Sequence, residues 1–213
     1  MCVNENPLSS NDIMYQPHFK FIISVVIILI FFICLPAALP ISSAAGEQKQ
    51  YGLADLKAGH HIALVRHALA PGTGDPENFI LDDCSTQRNL SDTGRKQAAA
   101  IGMHFRAAGI TSAEVYTSQW CRCRETAELM GLGKPLELPA LNSFFRKYER
   151  RNQQNAQLRQ WLSGKDLSKP VVLVTHQVNI TAFSGVYPES GEIILMRKTA
   201  SGGFELASRI ATD

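Results

Sequence analysis

Two short runs, HIALVRH at residues 61–67 and PVVLVTHQ at residues 170–177, are apolar at consecutive positions rather than at every second one. A strand with one wet face alternates apolar and polar residues. A run without alternation belongs to a strand covered on both faces, as in parallel sheets flanked by helices. A third run, AEVYTS at 113–118, has strand length, and two closing strands are expected at 192–198 and 204–210, joined by the turn SGG. Helical patterns lie between these strands. The first begins at the N-cap Ser91, points Ala98, Ile101, Phe105 and Ala108 inward, and stops at Gly109. A second is expected from about Gln119 to Leu129, a third over KYERRNQQNAQLRQWLSG, and a short one over VNITAFSG. Strands alternating with helices imply an α/β fold with a mainly parallel central sheet, whose ligands bind beyond the carboxyl ends of the strands.

The N-terminal segment is set aside first. Phe21 to Leu35 is an uncharged apolar block preceded by Lys20 and followed by PAALPISSAAG, the pattern of a secretory signal with small residues Ser43 and Ala45 before a cut. Residues 1–45 are therefore read as a leader and 46–213 as one domain. The rival reading is an uncleaved anchor, but a fifteen-residue helix reaches roughly 22 Å against a hydrocarbon core of roughly 30 Å. A formal net charge of +2 is too mild to imply a nucleic-acid partner. The expected location is periplasmic or secreted, with membrane contact only through the leader. Beyond the leader stand Cys84, Cys121 and Cys123. Cys121 and Cys123 are too close for an easy mutual bridge, so Cys84 pairs with one of them, or all three are buried thiols.

Three segments carry chemistry to the same sheet edge: Arg66 and His67 leave the first strand, Arg122 lies one turn into the helix after Ser118, and His176 ends VVLVTH. Guanidiniums offer forked donors that match phosphate oxygens, and helix N-termini add positive dipoles. These residues resemble the signature of the histidine phosphatase superfamily, also called phosphoglycerate mutase-like. LVRHA is similar to its Arg-His pair after the first strand, TSQWCRCRETA to its second arginine element, LVTHQ to its second histidine, and RNLSDTGRKQA to its helix opening.

The resemblance implies a three-layer α/β/α sandwich and covalent catalysis without a metal or cofactor. The neutral imidazole of His67 would attack phosphorus, and Arg66, Arg122 and His176 would stabilise charge on the equatorial oxygens. The acid such enzymes use to protonate the leaving oxygen is missing from both of its usual places, which here hold Asn142 with Ser143, and Gln177. The loop APGTGDPENFILDDCSTQRN supplies Asp75, Glu77, Asp82 and Asp83 instead, and Asp83 is the expected donor because Cys84 could pin it. Arg88, Asn78, Asn142 and Gln177 are the expected substrate contacts. The implied function is an exported phosphomonoesterase acting on a phosphorylated small molecule or envelope glycan, possible substrates including a lipopolysaccharide core sugar phosphate. The alternative is a weak or inactive phosphate-binding relative.

Overall fold

The computed structural model describes residues 50–212, and the expected leader at 1–45 lies outside them. Six strands form one sheet: β1 (His61–Arg66), β2 (Glu114–Thr117), β3 (Leu136–Glu137), β4 (Val171–Thr175), β5 (Ile193–Lys198) and β6 (Phe204–Ile210), in the spatial order β3-β2-β4-β1-β5-β6. β1, β2, β3 and β4 are mutually parallel, and β5 runs antiparallel to β1 and β6. The helices are α1 (Asp92–Ala107), α2 (Cys121–Met130), α3 (Arg151–Ser163) and α4 (Gln177–Ser184). Among the described residues no helix is long and apolar enough to cross a membrane.

The unbroken apolar runs have the expected cause. Ala63 and Val65 of β1, Val172 and Val174 of β4, and Ile193 and Leu195 of β5 face a core with Ile101 and Phe105 of α1 and Ala127 and Met130 of α2. The alternate residues, Ile62 and Leu64, Val171 and Leu173, Ile194 and Met196, face a second core with Leu158 and Leu162 of α3 and Ile180 and Phe183 of α4. Two apolar layers on one sheet make the three-layer sandwich, and the central strands cannot afford a polar face. At the margin, β6 is half exposed along its length.

Local signals hold with small shifts. Ser91 caps α1 by accepting from Gly94 N at 3.0 Å, and Gly109 follows the helix at φ +76°. α2 starts two residues later than expected, at Cys121, because Trp120 before it is in extended backbone at φ −65° and ψ 136° and serves as the N-cap. The third helical pattern divides into a 3-10 turn at Tyr148–Arg150 and α3. Two glycines of α1 allow backbones to touch: a Cβ on Gly94 would stand 2.0 Å from Leu69 O, and one on Gly102 would stand 2.0 Å from Met130 O.

Candidate active site

The carboxyl ends of β1, β2 and β4 share one edge, and the segment leading into β5 returns to it, since Val65 pairs with Ile193. There a small cleft of about 130 Å³ is lined by Arg66, His67, Asp75, Arg88, Arg122, His176 and Gln177, with Phe145 and Tyr187 also on its wall. This is well below the ~300 Å³ lower end for drug-sized ligand sites, and suits an anionic group more than a whole large molecule. Three guanidiniums face one carboxylate there, so the cleft is cationic.

His67 is fixed by backbone on both sides. Its N–H donates to Thr175 O at 2.9 Å, its carbonyl accepts from Gly191 N at 3.3 Å, and the next amide, Ala68 N, donates to Thr126 Oγ1 at 3.1 Å. Its ring is buried, with Nδ1 2.8 Å from Ala68 O. A carbonyl only accepts, so Nδ1 carries the hydrogen and the Nε2 lone pair is left free. Burial, then the charge of Arg122, hold the imidazole well below its ordinary range, so it stays neutral. A neutral, oriented imidazole with an uncommitted nitrogen in a cationic cleft is equipped for nucleophilic attack on a phosphoryl group.

His176 is also buried and kept neutral, first by burial and then by Arg122. Arg122 Nη2 lies 3.3 Å from its Nδ1. A guanidinium only donates, so Nδ1 accepts, Nε2 carries the proton, and this donates to Ser118 Oγ at 2.9 Å. Ser118 in turn donates to Asn142 Oδ1 at 3.3 Å. Arg66 donates from Nη1 to Pro188 O at 2.8 Å. Arg88 ties down the loop, donating from Nε to Gly74 O at 2.7 Å and from Nη1 to Ala70 O. Burial, then the neighbouring charge of Arg122, lower its pKa to about 10, so it remains a cation at neutral pH.

The structure moves the loop carboxylate from Asp83 to Asp75. Asp83 is an exposed cap that accepts from Ser85 N at 2.9 Å and Ser85 Oγ at 2.7 Å, outside the cleft. Asp75 lines it, accepting from Arg122 Nη1 at 2.6 Å and Nη2 at 3.2 Å, Trp120 Nε1 at 3.0 Å and Arg88 N at 3.2 Å. Burial alone would raise this carboxyl, but the hydrogen bonds and charge of Arg122, with the Trp120 and Arg88 N–H groups, outweigh it and hold the pKa lower than usual. A readable signal was the setting GTGDP: Gly72 at φ +92° and Gly74 at φ +74° turn the chain inward just before Asp75.

Two other expected contacts also fall elsewhere. Asn78 is exposed and does not line the cleft. Asn142 is a scaffold: its Nδ2 donates to Gln119 Oε1 at 2.8 Å while its Oδ1 accepts from Gln119 N at 2.9 Å. Gln177 reaches the wall but donates to Thr181 Oγ1 at 2.8 Å. Cys84 and Cys121 form a disulfide that ties the far end of the loop to the start of α2, and Cys123 remains a buried thiol pushed by burial up to about 12. Trp120 and Thr126 escaped the sequence reading because their partners, Asp75 and Ala68, are 45 and 58 residues away.

A model of the histidine phosphatase superfamily (branch 1) matches residues 62–144. The mitochondrial serine/threonine-protein phosphatase Pgam5 of Drosophila grimshawi is 32% identical over 74 residues, 35% of this chain and 23% of that protein. The match thus spans less than a quarter of that relative. Among solved structures, the Entamoeba histolytica phosphoserine phosphatase in complex with 3-phosphoglyceric acid aligns at TM-score 0.52 and 16% identity, covering 72% of this chain and 98% of that one. The protein histidine phosphatase SixA complexed with tungstate aligns at TM-score 0.51 and 14% identity, covering 71% and 97%. These identities speak for the fold. The segment that resembles the histidine phosphatase superfamily carries the Arg-His pair and the second arginine, and the fold gathers these with His176, from beyond that segment, on one sheet edge.

Proposed function

We propose that the protein is an exported phosphomonoesterase working through a phosphohistidine on His67. The observation that carries this is the free Nε2 of a buried, neutral His67 in a cleft lined by Arg66, Arg88 and Arg122. The Nε2 lone pair forms a bond to phosphorus as the bond to the leaving oxygen breaks. Water then displaces the imidazole and releases phosphate. Splitting the hydrolysis in two replaces one very high barrier by two lower ones, with the arginines compensating the equatorial oxygens in both steps.

Export is supported by the apolar leader pattern and by the Cys84–Cys121 bond, a linkage that persists in oxidising compartments. A small phosphorylated molecule or an envelope glycan is the substrate class that fits such a location, and a lipopolysaccharide core sugar phosphate is one to assay. A second reading, a phosphate binder without turnover, is favoured by one observation: Gln177 and Asn142 stand where family members carry an acid.

The test is phosphate release from p-nitrophenyl phosphate. The protein should hydrolyse it, His67→Ala should reduce the rate by at least about 10³-fold, and acid-labile label from a phosphorylated substrate should appear on His67 only in the unaltered protein. Undiminished turnover by His67→Ala would remove it as the nucleophile. Vanadate binding without hydrolysis of any ester would select the binder. Fractionation of cells expressing the full chain tests export, and recovery in the cytoplasmic fraction would remove it.

A further inference from the structure

A guanidinium has five N–H donors, and at Arg122 each can be placed. Nη1 gives its two to Asp75 Oδ1 at 2.6 Å and Arg88 O at 3.3 Å. Nη2 gives its two to Asp75 Oδ2 at 3.2 Å and His176 Nδ1 at 3.3 Å. Nε is buried without a partner. The side chain is 3% exposed and that of Asp75 16%, so this is a largely dry pair. Arg122 therefore has no outward donor to offer a phosphate while Asp75 holds its fork. An entering phosphate has to exchange with that carboxylate, which stands on Arg122 as an internal anion.

Asp75 is also the sole carboxylate on the cleft wall among the described residues. The reaction proposed above needs a proton for any leaving oxygen more basic than a phenolate, and Gln177, Asn142 and Ser143 cannot give one near neutral pH. Resting on that phosphatase reading, we propose that Asp75 is the proton donor of the reaction, armed when the substrate's phosphate takes its place on the Arg122 fork.

The exchange changes what surrounds the carboxylate. It loses two guanidinium contacts and gains a neighbouring dianion, and both changes favour its protonated form. Trp120 Nε1 and Arg88 N, neutral donors at 3.0 and 3.2 Å, remain to tether it beside the anion. Gly72 and Gly74 give the segment a backbone that can adjust. On the exchange the carboxylate takes up one proton from solvent, which returns there when phosphate leaves and the Arg122 pair re-forms. In the first step the His67 Nε2–P bond forms, the P–O bond to the leaving group breaks, and the Asp75 carboxylic acid passes its proton to the departing oxygen. In the second, water attacks phosphorus, the N–P bond breaks, and the Asp75 carboxylate takes the proton from that water. The acid is thereby regenerated, and no outside reagent is consumed beyond water.

The experiment compares the unaltered protein with Asp75→Asn and Asp75→Glu on two esters, p-nitrophenyl phosphate and β-glycerophosphate, and measures inorganic phosphate binding by calorimetry. Asp75→Asn should lower kcat/KM on β-glycerophosphate by about 10²- to 10⁴-fold, and on the nitrophenyl ester, whose leaving group departs without a proton, by less than about tenfold. Asp75→Glu should recover part of the first loss. Phosphate should bind Asp75→Asn more tightly, because a competing anion has gone. Equal losses on the two esters, weaker phosphate binding, or no loss on β-glycerophosphate would each overturn the proposal. Turnover of neither ester by the unaltered protein would remove the phosphatase reading and the donor together. That result is distinct from turnover that survives in Asp75→Asn.

Discussion

The strand-end wall of the cleft and the wall made by residues 71–89 meet around the same anion site, but different forces hold them. His67 and His176 continue strands whose side chains are fully buried in two apolar layers, and the His67 backbone bonds to Thr175 and Gly191 extend the sheet. The loop wall leans on the Asp75–Arg122 pair, the stacking of Phe79 on Trp120 with centroids 5.1 Å apart, and the Cys84–Cys121 bond, while Ile80 is 56% exposed. Apolar burial is indifferent to an arriving phosphate. A carboxylate on a guanidinium is in direct competition with it. The proposed nucleophile, His67, is thus preorganised on the part of the molecule that costs most to open, and the exchangeable carboxylate sits on the part that opens locally at least cost.

Removing the disulfide puts this contrast to its strongest trial. Replacing Cys84 and Cys121 together by serine releases a link across 37 residues, and chain-entropy reasoning gives a loss of about 4 kcal/mol in unfolding free energy. Denaturant unfolding measures the total, and amide exchange locates it. Protection should fall across 71–89 and persist at His67 and Val174. Equal loosening of both walls would show that the loop supports the strand ends, contrary to the division drawn here.

The same contrast explains which features could be read in the residues alone. The unbroken apolar runs of β1 and β4 imply strands covered on both sides, and parallel strands bring Arg66, His67 and His176 to one edge as a matter of topology. Ser91 and Gly109 mark the ends of α1 through local backbone chemistry. The loop wall follows from no such rule. Asp75 meets Arg122 across 47 residues through a fold-dependent approach, and Asp83, next to a cysteine in the sequence, spends its carboxylate on Ser85 at the surface. Asn142 has the right neighbours for a substrate contact, yet the start of α2 consumes both ends of its amide.

Acid should separate the walls by the pH at which each yields. The folded-state values of His67 and His176 lie below the ordinary imidazole range. The unfolded chain therefore binds protons first as pH falls through about 6.5, and stability, fully present above that value, declines below it. With both sites neutral in the fold, the slope is about 3 kcal/mol per pH unit. Asp75, lowered instead, contributes stability that is present above the ordinary carboxyl value of about 3.9 and is lost only at more acid pH. Unfolding curves from pH 7 to 5 should thus show the strand-wall slope, reduced by roughly half in His176→Asn and unaltered in Asp75→Asn. A flat profile over that range would mean that both imidazoles take up protons in the fold as they do in the unfolded chain, so that burial holds neither of them neutral.

Gly94 and Gly102 allow a finer cut, because the same substitution delivers the same steric insult at two places on α1. A Cβ at either stands 2.0 Å from a backbone carbonyl oxygen, Leu69 at Gly94 and Met130 at Gly102. Both Gly→Ala changes should destabilise by about 1–3 kcal/mol, since backbone has to move to admit the methyl group. The consequences for the site differ. Leu69 lies two residues beyond His67 and next to Ala70, whose carbonyl receives Arg88, so Gly94→Ala displaces the joint between the two walls. Met130 ends α2, whose first turn carries Arg122 two turns away. At equal fractions folded, Gly94→Ala should lower kcat for p-nitrophenyl phosphate by about tenfold or more, because an ångström-scale misplacement at the reacting centre is costly. Gly102→Ala should leave kcat within about twofold. Comparable kinetic losses in the two variants would mean that packing at the far end of α1 reaches His67, and that the strand-end wall is less independent of its helices than its buried backbone bonds imply.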